Sequence, residues 1–352
     1  MTKRFILVGL LAVAFLFAGC LGDGGTPSVA PSILPSPEAS TTPSVEASVE
    51  PTTTPSASLE RFVWIASGIG VTKLYESNGT VAGVFEAGAV PESIAVDSEG
   101  NVWVADGSDG NGEVTKLDAS GELIGTFVVG LAHPRVVLDP EGNVWVLDIG
   151  DKIEKLDPDG NVLGIFTVGM DPVDIIADPH GNVWVTGSPS GEIEGNLVKL
   201  NLEGVVIGDY YLESGASFLA LDEEGNVLVA NTKVDNVTKV SSNGGILAEY
   251  WIAALGLAVD AEGNIWATTA ESVVKYSPDG NKIGEYPAGE YPIGISIDYD
   301  GNVWVSNIES SFVTKLNGAT GELMGNYEVN GCRWNIGDAT GFRYHHFVLQ
   351  DD

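Results

Sequence analysis

Short apolar runs alternate with polar, glycine-bearing turns along most of this chain. In DSEGNVWVAD, residues 97–106, a polar turn is followed by a continuous apolar run. Related stretches recur at spacings of 39, 42, 39, 44, 38 and 38 residues, with a tryptophan that leucine replaces once: Trp64, Trp103, Trp145, Trp184, Leu228, Trp266 and Trp304. A fixed period of about 40 residues with strand and turn signals in each unit predicts a β-propeller or a similar array.

One unit contains four predicted strands. They cover residues 93–97, 102–105, 114–117 and 123–129, and the first hairpin turn is Asp97-Ser-Glu-Gly-Asn101, whose glycine supplies the positive φ of a type I turn with a bulge. The second strand is apolar on both faces, whereas a strand with one solvated face would alternate. Both faces are covered if each four-stranded sheet packs between two neighbours, as the blades of a ring do.

Three independent sets of residues give the number of blades. First strands end at Asp97, Asp139, Asp178, Asp222, Asp260, Asp298 and Asp338. Third strands carry Lys73, Lys116, Lys155, Lys199, Lys239, Lys275 and Lys315. Fourth strands carry Phe85, Phe127, Phe166, Tyr210, Tyr250, Tyr286 and Tyr327. We therefore predict an all-β fold, a seven-bladed β-propeller of four-stranded antiparallel blades.

The two ends of the repeat region are predicted to complete one blade together. Residues 61–88 supply a second, third and fourth strand but lack a first, and residues 334–338 supply one. Their pairing would close the ring and remove its last open edge. Residues 341–349 are left over, and they either compete with residues 62–65 for the place of a second strand or pack outside.

The N-terminal region predicts export. Lys3 and Arg4 precede an apolar run at residues 5–17 and the small residues Ala18 and Gly19, which is the order of a secretory signal. Cys20 follows directly and resembles the acylated cysteine of prokaryotic lipoproteins; the alternative is ordinary secretion with an unmodified cysteine. Lipidation of Cys20 would leave Cys332 alone, so no intrachain disulfide could form.

The predicted domains are a signal at residues 1–20, a stalk at 21–60 and the propeller at 61–352. The stalk is rich in Ser, Thr, Pro and Ala and lacks Lys and Arg, a composition that cannot bury enough apolar surface to order itself. We expect a monomer at the cell surface, anchored to the membrane by lipid. Asn78 and Asn236 begin N-glycosylation sequons.

Charge narrows the choice of partners. The formal net charge is −33, which repels nucleic acid and anionic lipid head groups and attracts cations. We therefore expect no nucleic-acid partner.

The repeat also resembles known families. The unit at residues 91–104, with Ile94-Ala-Val-Asp and Gly100-Asn-Val-Trp-Val104, is similar to NHL-type repeats and, more closely, to the propeller of virginiamycin B (streptogramin) lyases; units ending at residues 183–186 and 303–307 resemble YVTN repeats of prokaryotic surface proteins. The resemblance covers residues 61–349. It implies the propeller fold and leaves the activity open, because these repeats serve enzymes and binding scaffolds alike.

Membership of the lyase family would imply a histidine pair and a glutamate around Mg²⁺ at the mouth of the central channel. Those repeats often place a histidine after the proline that opens a first strand, but here the positions hold Glu92, Arg135, Val173 and Ile293. The chain's histidines lie elsewhere: His133, His180, His345 and His346. We interpret them as surface or turn residues.

A ligand or cation site at the channel mouth is a second hypothesis. Polar residues enter first strands or leave second strands on the same predicted face: Glu92, Asp106, Arg135, Asp148, Asp174, Ser217, Asn231, Thr269, Asn307 and Arg333. Their oxygens suit Ca²⁺, Mg²⁺ or a polyhydroxyl ligand, and the two arginines suit a carboxylate. The alternative is that polar residues belong wherever strands end in water.

Two acidic patterns receive different interpretations. Asp109, Asn111 and Glu113 have the spacing that begins a Ca²⁺ loop, without its twelve-residue completion, so a metal site competes there with solvated loop acids. The repeated Asp-x-x-Gly-Asn turns are interpreted as structural, because equal copies in many blades indicate one turn geometry. The lysine of each third strand predicts an inter-blade ion pair or an extended side chain at an outer strand.

No catalytic triad or carboxylate pair stands out at readable spacing. We expect a propeller that binds an extracellular ligand or protein partner through one face without catalysis. The first alternative is a lyase or hydrolase of the streptogramin-lyase or lactonase type that uses Ca²⁺ or Mg²⁺. The second is a structural component of the cell envelope.

Overall fold

The computed structural model describes residues 60–67, 70–107, 112–130, 135–147, 150–188, 195–212 and 215–329, and the backbone of 340–341. The predicted signal with Cys20, residues 21–59 of the predicted stalk and Cys332 lie outside these residues. Every regular element among them is a β-strand. Accordingly, the described part of the chain contains no apolar helix of membrane-spanning length.

The strands follow the repeat. In the first half of the chain they are β1 (Phe62–Ser67), β2 (Gly70–Tyr75), β3 (Val81–Glu86), β4 (Pro91–Val96), β5 (Val102–Asp106), β6 (Gly112–Leu117), β7 (Leu123–Val129), β8 (Val136–Leu138), β9 (Val144–Leu147), β10 (Lys152–Leu156), β11 (Val162–Thr167), β12 (Asp171–Ala177), β13 (Val183–Ser188), β14 (Gly195–Leu200) and β15 (Val206–Leu212). In the second half they are β16 (Ala216–Leu221), β17 (Val227–Asn231), β18 (Asn236–Val240), β19 (Ile246–Tyr250), β20 (Gly256–Val259), β21 (Ile265–Thr268), β22 (Ser272–Tyr276), β23 (Lys282–Pro287), β24 (Pro292–Ile297), β25 (Val303–Asn307), β26 (Phe312–Leu316), β27 (Leu323–Glu328) and β28 (Thr340–Gly341).

These strands form seven four-stranded antiparallel sheets, as the sequence predicts. Blade 1 is β28-β1-β2-β3, and blades 2 to 7 are six consecutive groups of four that begin at β4, β8, β12, β16, β20 and β24. The first strands of successive blades contact one another from β4 through β24, and β28 contacts both β24 and β4. The chain is therefore a seven-bladed β-propeller with its first strands innermost.

The two ends of the repeat region pair, as predicted, and the described part of this pairing is β28 with β1. Trp64 and Ile65 lie opposite Gly341 and Thr340, so β28 supplies the first strand of blade 1. The predicted segment, residues 334–338, lies outside the described residues, and most of the 341–349 segment does too. A two-residue strand of threonine and glycine has no hydrophobic alternation, which is the signal that specifies a register in sequence.

The tryptophans pack the blades internally. Trp103, Trp145, Trp184, Trp266 and Trp304 are fully buried. Each contacts the aromatic residue of the fourth strand in its own blade at ring-centroid distances of 5.5 to 5.9 Å. Large buried aromatic side chains dominate the energetics of such a core.

The fourth-strand aromatics also join neighbouring blades. Phe127 covers Gly160 in the outer turn of the next blade, where φ is +84° and a Cβ would overlap the ring. The same contact occurs around the ring: Phe85 with Gly121, Phe166 with Gly204, Tyr210 with Gly244, Tyr250 with Gly280, Tyr286 with Gly321 and Tyr327 with Gly79. The last pair joins blade 7 to blade 1.

The aspartate turns are structural. Asp97 Oδ1 accepts hydrogen bonds from the backbone N–H groups of Glu99 (3.0 Å) and Asn101 (2.8 Å). Gly100 has φ +86°, the left-handed conformation that such a turn favours for glycine. The carboxylates that suggest metal ligands in sequence therefore cap their own turns.

Third-strand lysines link six of the seven blades to the next blade. In blade 3, Lys155 Nζ lies 3.2 Å from Asp139 Oδ2 and donates to the carbonyl of Leu202 in blade 4. The predicted inter-blade ion pair is thus wrong in detail: the ion pair lies within the blade, and a hydrogen bond crosses between blades. Equivalent bonds join Lys73 to Ala119, Lys116 to Pro158, Lys199 to Ser242, Lys275 to Gly318 and Lys315 to Glu76.

The aspartate that binds the lysine also receives the indole N–H in several blades. Trp145 Nε1 donates to Asp139 Oδ2 at 3.0 Å, and Trp184, Trp266 and Trp304 make the same bond. Blade 5 has Leu228 in place of the tryptophan. There Lys239 Nζ lies 2.8 Å from Asp222 Oδ2. The Tyr250 hydroxyl donates the hydrogen bond to the next blade, to the carbonyl of Pro278. One substitution in the repeat therefore rearranges one blade interface.

Candidate functional site

The antiparallel hairpins give the propeller two unlike faces. The turn face carries the connections from first to second and from third to fourth strands, such as residues 97–101 and 118–122. The loop face carries the connections from second to third strands and from each blade to the next, such as residues 268–272 and 287–292. The predicted channel-mouth residues that the structure describes lie on the loop face.

The residues that end second strands are buried and serve the fold. Asp106 Oδ1 accepts a hydrogen bond from the Val90 amide at 3.2 Å, and Asn307 Oδ1 accepts one from the Gly289 amide at 2.9 Å. Asn231 Nδ2 donates to Thr238 Oγ1 at 2.9 Å. These side chains fasten adjoining loops and strands, which is a structural role.

The residues that enter first strands form contacts from blade to blade. Arg135 Nη1 lies 3.7 Å from Asp174 Oδ1, and its guanidinium lies 5.6 Å from the ring centroid of Phe218. Asp174 Oδ2 accepts a hydrogen bond from the Leu219 amide at 2.8 Å. Glu92 is buried on the neighbouring first strand. The structure therefore brings together Arg135 and Asp174, while Asp148 and Arg333 lie outside the described residues.

Most of the predicted metal-ligand and histidine positions lie outside the described residues. Asp109 and Asn111, like His133, His345 and His346, lie outside the described residues, and Glu113 pairs in register with Asp106. Within the described ranges no group of three His, Cys, Asp or Glu residues is placed to hold a metal ion. The His180 amide donates to Asp178 Oδ1 at 3.0 Å in a turn-face turn, away from the predicted mouth.

The two sequon asparagines differ in exposure. Asn78 is exposed, and its Oδ1 accepts hydrogen bonds from the amide and hydroxyl of Thr80. Asn236 is half-buried, and its Oδ1 accepts a bond from Asn231 Nδ2 at 2.6 Å.

A cavity that sequence reasoning missed opens on the loop face between blades 6 and 7. It has a volume of about 700 Å³, and its lining includes Glu271, Glu290, Tyr291, Glu309 and Phe312. The lining holds three glutamates and includes no lysine or arginine. Glu271, Glu290 and Glu309 are exposed, so the cavity has a negative potential and is accessible to a ligand.

The backbone at this cavity is held in an uncommon shape. Tyr291 has φ +58°, a conformation that is rare for a bulky residue. Its carbonyl accepts a hydrogen bond from the Ile308 amide at 3.0 Å, and the adjoining Glu290 amide donates to Ser310 Oγ at 2.8 Å. These bonds fix the 289–291 loop against the 307–310 loop, with the Tyr291 side chain exposed.

Comparisons with known proteins support the fold. The sequence matches no protein-family model and no curated protein. Among solved structures, a catalytically inactive virginiamycin B lyase from Staphylococcus aureus with quinupristin aligns with a TM-score of 0.59 and 15% identity over 68% of this chain and 84% of that one. A protein from Lactobacillus plantarum aligns with 0.64 and 14% over 78% and 97%, and a functionally unknown protein from Desulfotomaculum acetoxidans with 0.63 and 13% over 79% and 98%. At these identities the likeness establishes the propeller fold alone.

Proposed function

We propose that this protein is an exported, lipid-anchored propeller that binds an extracellular ligand or protein partner through its loop face, without catalysis, and that the bound group is positively charged. The signal-like N-terminus and the stalk composition support the location. The cavity between blades 6 and 7 is the observation that carries the binding proposal.

The loop face lies at the far end of β1 from the point where the chain enters that strand. The chain enters β1 at the turn face, where Arg61 Nη1 contacts Asp300 Oδ1 at 2.9 Å in the turn between β24 and β25. The cavity between blades 6 and 7 lies on the other face, the loop face.

The chemistry of the cavity favours a cation. Three exposed glutamates can pair with ammonium or guanidinium groups, and the exposed ring of Tyr291 adds a surface for cation–π contact. The net charge of −33 would draw cationic partners toward the molecule and speed their association. A basic peptide segment combines these features.

Removing the three cavity charges is expected to weaken binding of a basic peptide. The Glu271→Gln, Glu290→Gln, Glu309→Gln variant should raise the Kd for a hexalysine peptide roughly tenfold, since exposed ion pairs contribute about 0.2–1 kcal/mol each. Isothermal titration calorimetry of the full chain at low salt measures this.

A matched control removes the same number of charges from the turn face. The Glu99→Gln, Glu141→Gln, Glu224→Gln variant should bind hexalysine nearly as well as the wild type, because all three residues are exposed in aspartate turns on the opposite face. An equal loss of hexalysine affinity in both variants would show that the peptide responds only to net charge, which would contradict a loop-face site.

A metal-dependent lyase or hydrolase is the second candidate, and the fold shared with virginiamycin B lyase favours it. Specific binding of Ca²⁺ or Mg²⁺ would raise the melting temperature by mass action, and EDTA would reverse the rise. Such a shift would favour the enzyme. An unshifted melting temperature together with no hexalysine binding would favour a structural component of the cell envelope.

A further inference from the structure

The interface between blades 7 and 1 breaks the pattern of the other blade interfaces at one residue. The outer-turn residue whose carbonyl receives the neighbouring blade's lysine or tyrosine cannot ionise in blades 2 to 7: Ala119, Pro158, Leu202, Ser242, Pro278 and Gly318. In blade 1 the equivalent residue is Glu76, whose carbonyl receives Lys315. This interface between the last and the first blade, here called the seam, therefore contains an extra carboxyl group.

The Glu76 carboxyl is buried with little compensation. The residue is 4% exposed, and its Oε1 has no hydrogen-bond partner among the described residues. The nearest cation is Arg61, whose Nη1 lies 3.7 Å from that oxygen. A buried carboxylate oxygen that accepts no hydrogen bond makes the carboxyl group costly to ionise.

The two cations at the seam are already paired with other carboxylates. Arg61 Nη1 lies 2.9 Å from Asp300 Oδ1, and its guanidinium lies over the ring of Tyr299. Lys315 Nζ lies 3.1 Å from Asp298 Oδ2. Among the described residues of the seam, three carboxylates face two cations when Glu76 is ionised, and these charges balance when it is protonated.

We propose that Glu76 makes closure of the ring proton-dependent: protonation of its carboxyl locks blade 1 against blade 7, and ionisation loosens this seam alone. The ends of the repeat region pair inside blade 1, where β28 lies beside β1, so ionisation of Glu76 would loosen the packing of β1 and β2 against blade 7. The other blade interfaces have no ionisable side chain at the equivalent position and do not respond in this way.

The direction of the effect follows from the electrostatics. Burial raises the pKa of Glu76 above its ordinary 4.5, Asp298 and Asp300 raise it further, and Arg61 and Lys315 oppose them. A carboxyl whose pKa is higher in the folded state than in the unfolded state binds its proton more tightly when folded. Its stabilising contribution is therefore complete below pH 4.5 and is lost as the pH rises through the folded-state pKa.

Glu76→Gln is expected to stabilise the full chain at neutral pH. The melting temperature of the variant should exceed that of the wild type by roughly 2–4 °C at pH 8, and the difference should vanish near pH 4, where the wild-type carboxyl is protonated. Glu322→Gln, an exposed turn residue of blade 7, is the matched control and should leave the wild-type pH dependence unchanged.

A second variant and a local measurement distinguish ionisation of Glu76 from a general effect of the substitution on stability. Glu76→Ala places there the residue that blade 2 has at Ala119, and it should flatten the pH dependence in the same way. Hydrogen exchange, corrected for intrinsic rates, should show lower protection of β1 and β2 at pH 8 than at pH 5 in the wild type but not in Glu76→Gln. An identical pH dependence in wild type and both Glu76 variants, or a change in protection spread evenly over all blades, would overturn the proposal.

Discussion

Replacing Trp266 by alanine should lower the free energy of unfolding by about 3–5 kcal/mol. The indole is fully buried and packs against Tyr286 at 5.6 Å between ring centroids. Its Nε1 also donates to Asp260 Oδ2 at 3.1 Å, so the variant loses both packing and a hydrogen bond to a buried carboxylate. Denaturant unfolding of the full chain, monitored by circular dichroism, measures the change.

The same substitution at an exposed tryptophan is the control. Trp251 is 86% exposed, so Trp251→Ala should change the free energy of unfolding by no more than about 0.5 kcal/mol. The loss of unfolding free energy in Trp266→Leu should lie between those of Trp266→Ala and Trp251→Ala, because blade 5 already accommodates Leu228 at the equivalent position. A small loss in Trp266→Ala would show that the repeated tryptophan is not the packing element of the blades.

Replacing Lys275 by methionine should cost about 3–5 kcal/mol of stability, since it leaves the buried Asp260 carboxylate without its cation. The two charged atoms lie 3.0 Å apart and both side chains are buried. Lys275 Nζ also donates to the Gly318 carbonyl at 2.7 Å, so the contact with blade 7 is lost too. The measurement is again denaturant unfolding.

Two comparisons separate charge from packing. In an Asp260→Asn background, Lys275→Met should cost much less, because no buried charge is left unpaired. Lys282→Met removes an exposed ion pair with Glu285 in the same strand, β23, and should cost at most about 1 kcal/mol. Equal costs for Lys275→Met with and without Asp260 would contradict the ion pair.

The blades were predictable because each one buries its apolar side chains between two neighbours with nearly the same set of residues. The tryptophan, the strand-ending aspartate and the third-strand lysine recur, and a periodic sequence signal reports a periodic structure. The sequence did not reveal that Lys155 forms its ion pair within its own blade and donates a hydrogen bond to Leu202 in the next blade. An ion pair within the blade and one between blades would both repeat once per blade, so the period does not distinguish them. Contacts between blades depend on side-chain direction, which period alone does not determine.

The candidate site was less predictable because it departs from the repeat. Asp106 and Asn307 are polar residues at strand ends, yet both are buried and bind backbone amides. Glu290 and Glu309 lie in loops where a charge usually means only solvation, so nothing in the sequence indicates that they share a cavity. The register of the β24–β25 hairpin brings these two together, with the Glu309 amide donating to the Glu290 carbonyl at 3.2 Å, whereas Glu271 reaches the cavity from blade 6.

The ring closure illustrates a third limit. The period and the missing first strand predict that the ends of the repeat region pair, and the described pairs are formed by Thr340 and Gly341. Two residues without a hydrophobic pattern carry no register signal. Likewise, Glu76 looks like an ordinary turn acid until the seam places Asp298 beside it.

Hydrogen–deuterium exchange of the full chain with saturating hexalysine peptide tests the central claim, that the repeats build the scaffold and the loop face binds. Bound peptide should slow exchange in residues 268–272, 287–291 and 307–312 and leave the aspartate turns at 97–101 and 298–302 unchanged. Slowed exchange confined to the turn face, or no protection at saturating peptide, would contradict the assignment of binding to the loop face.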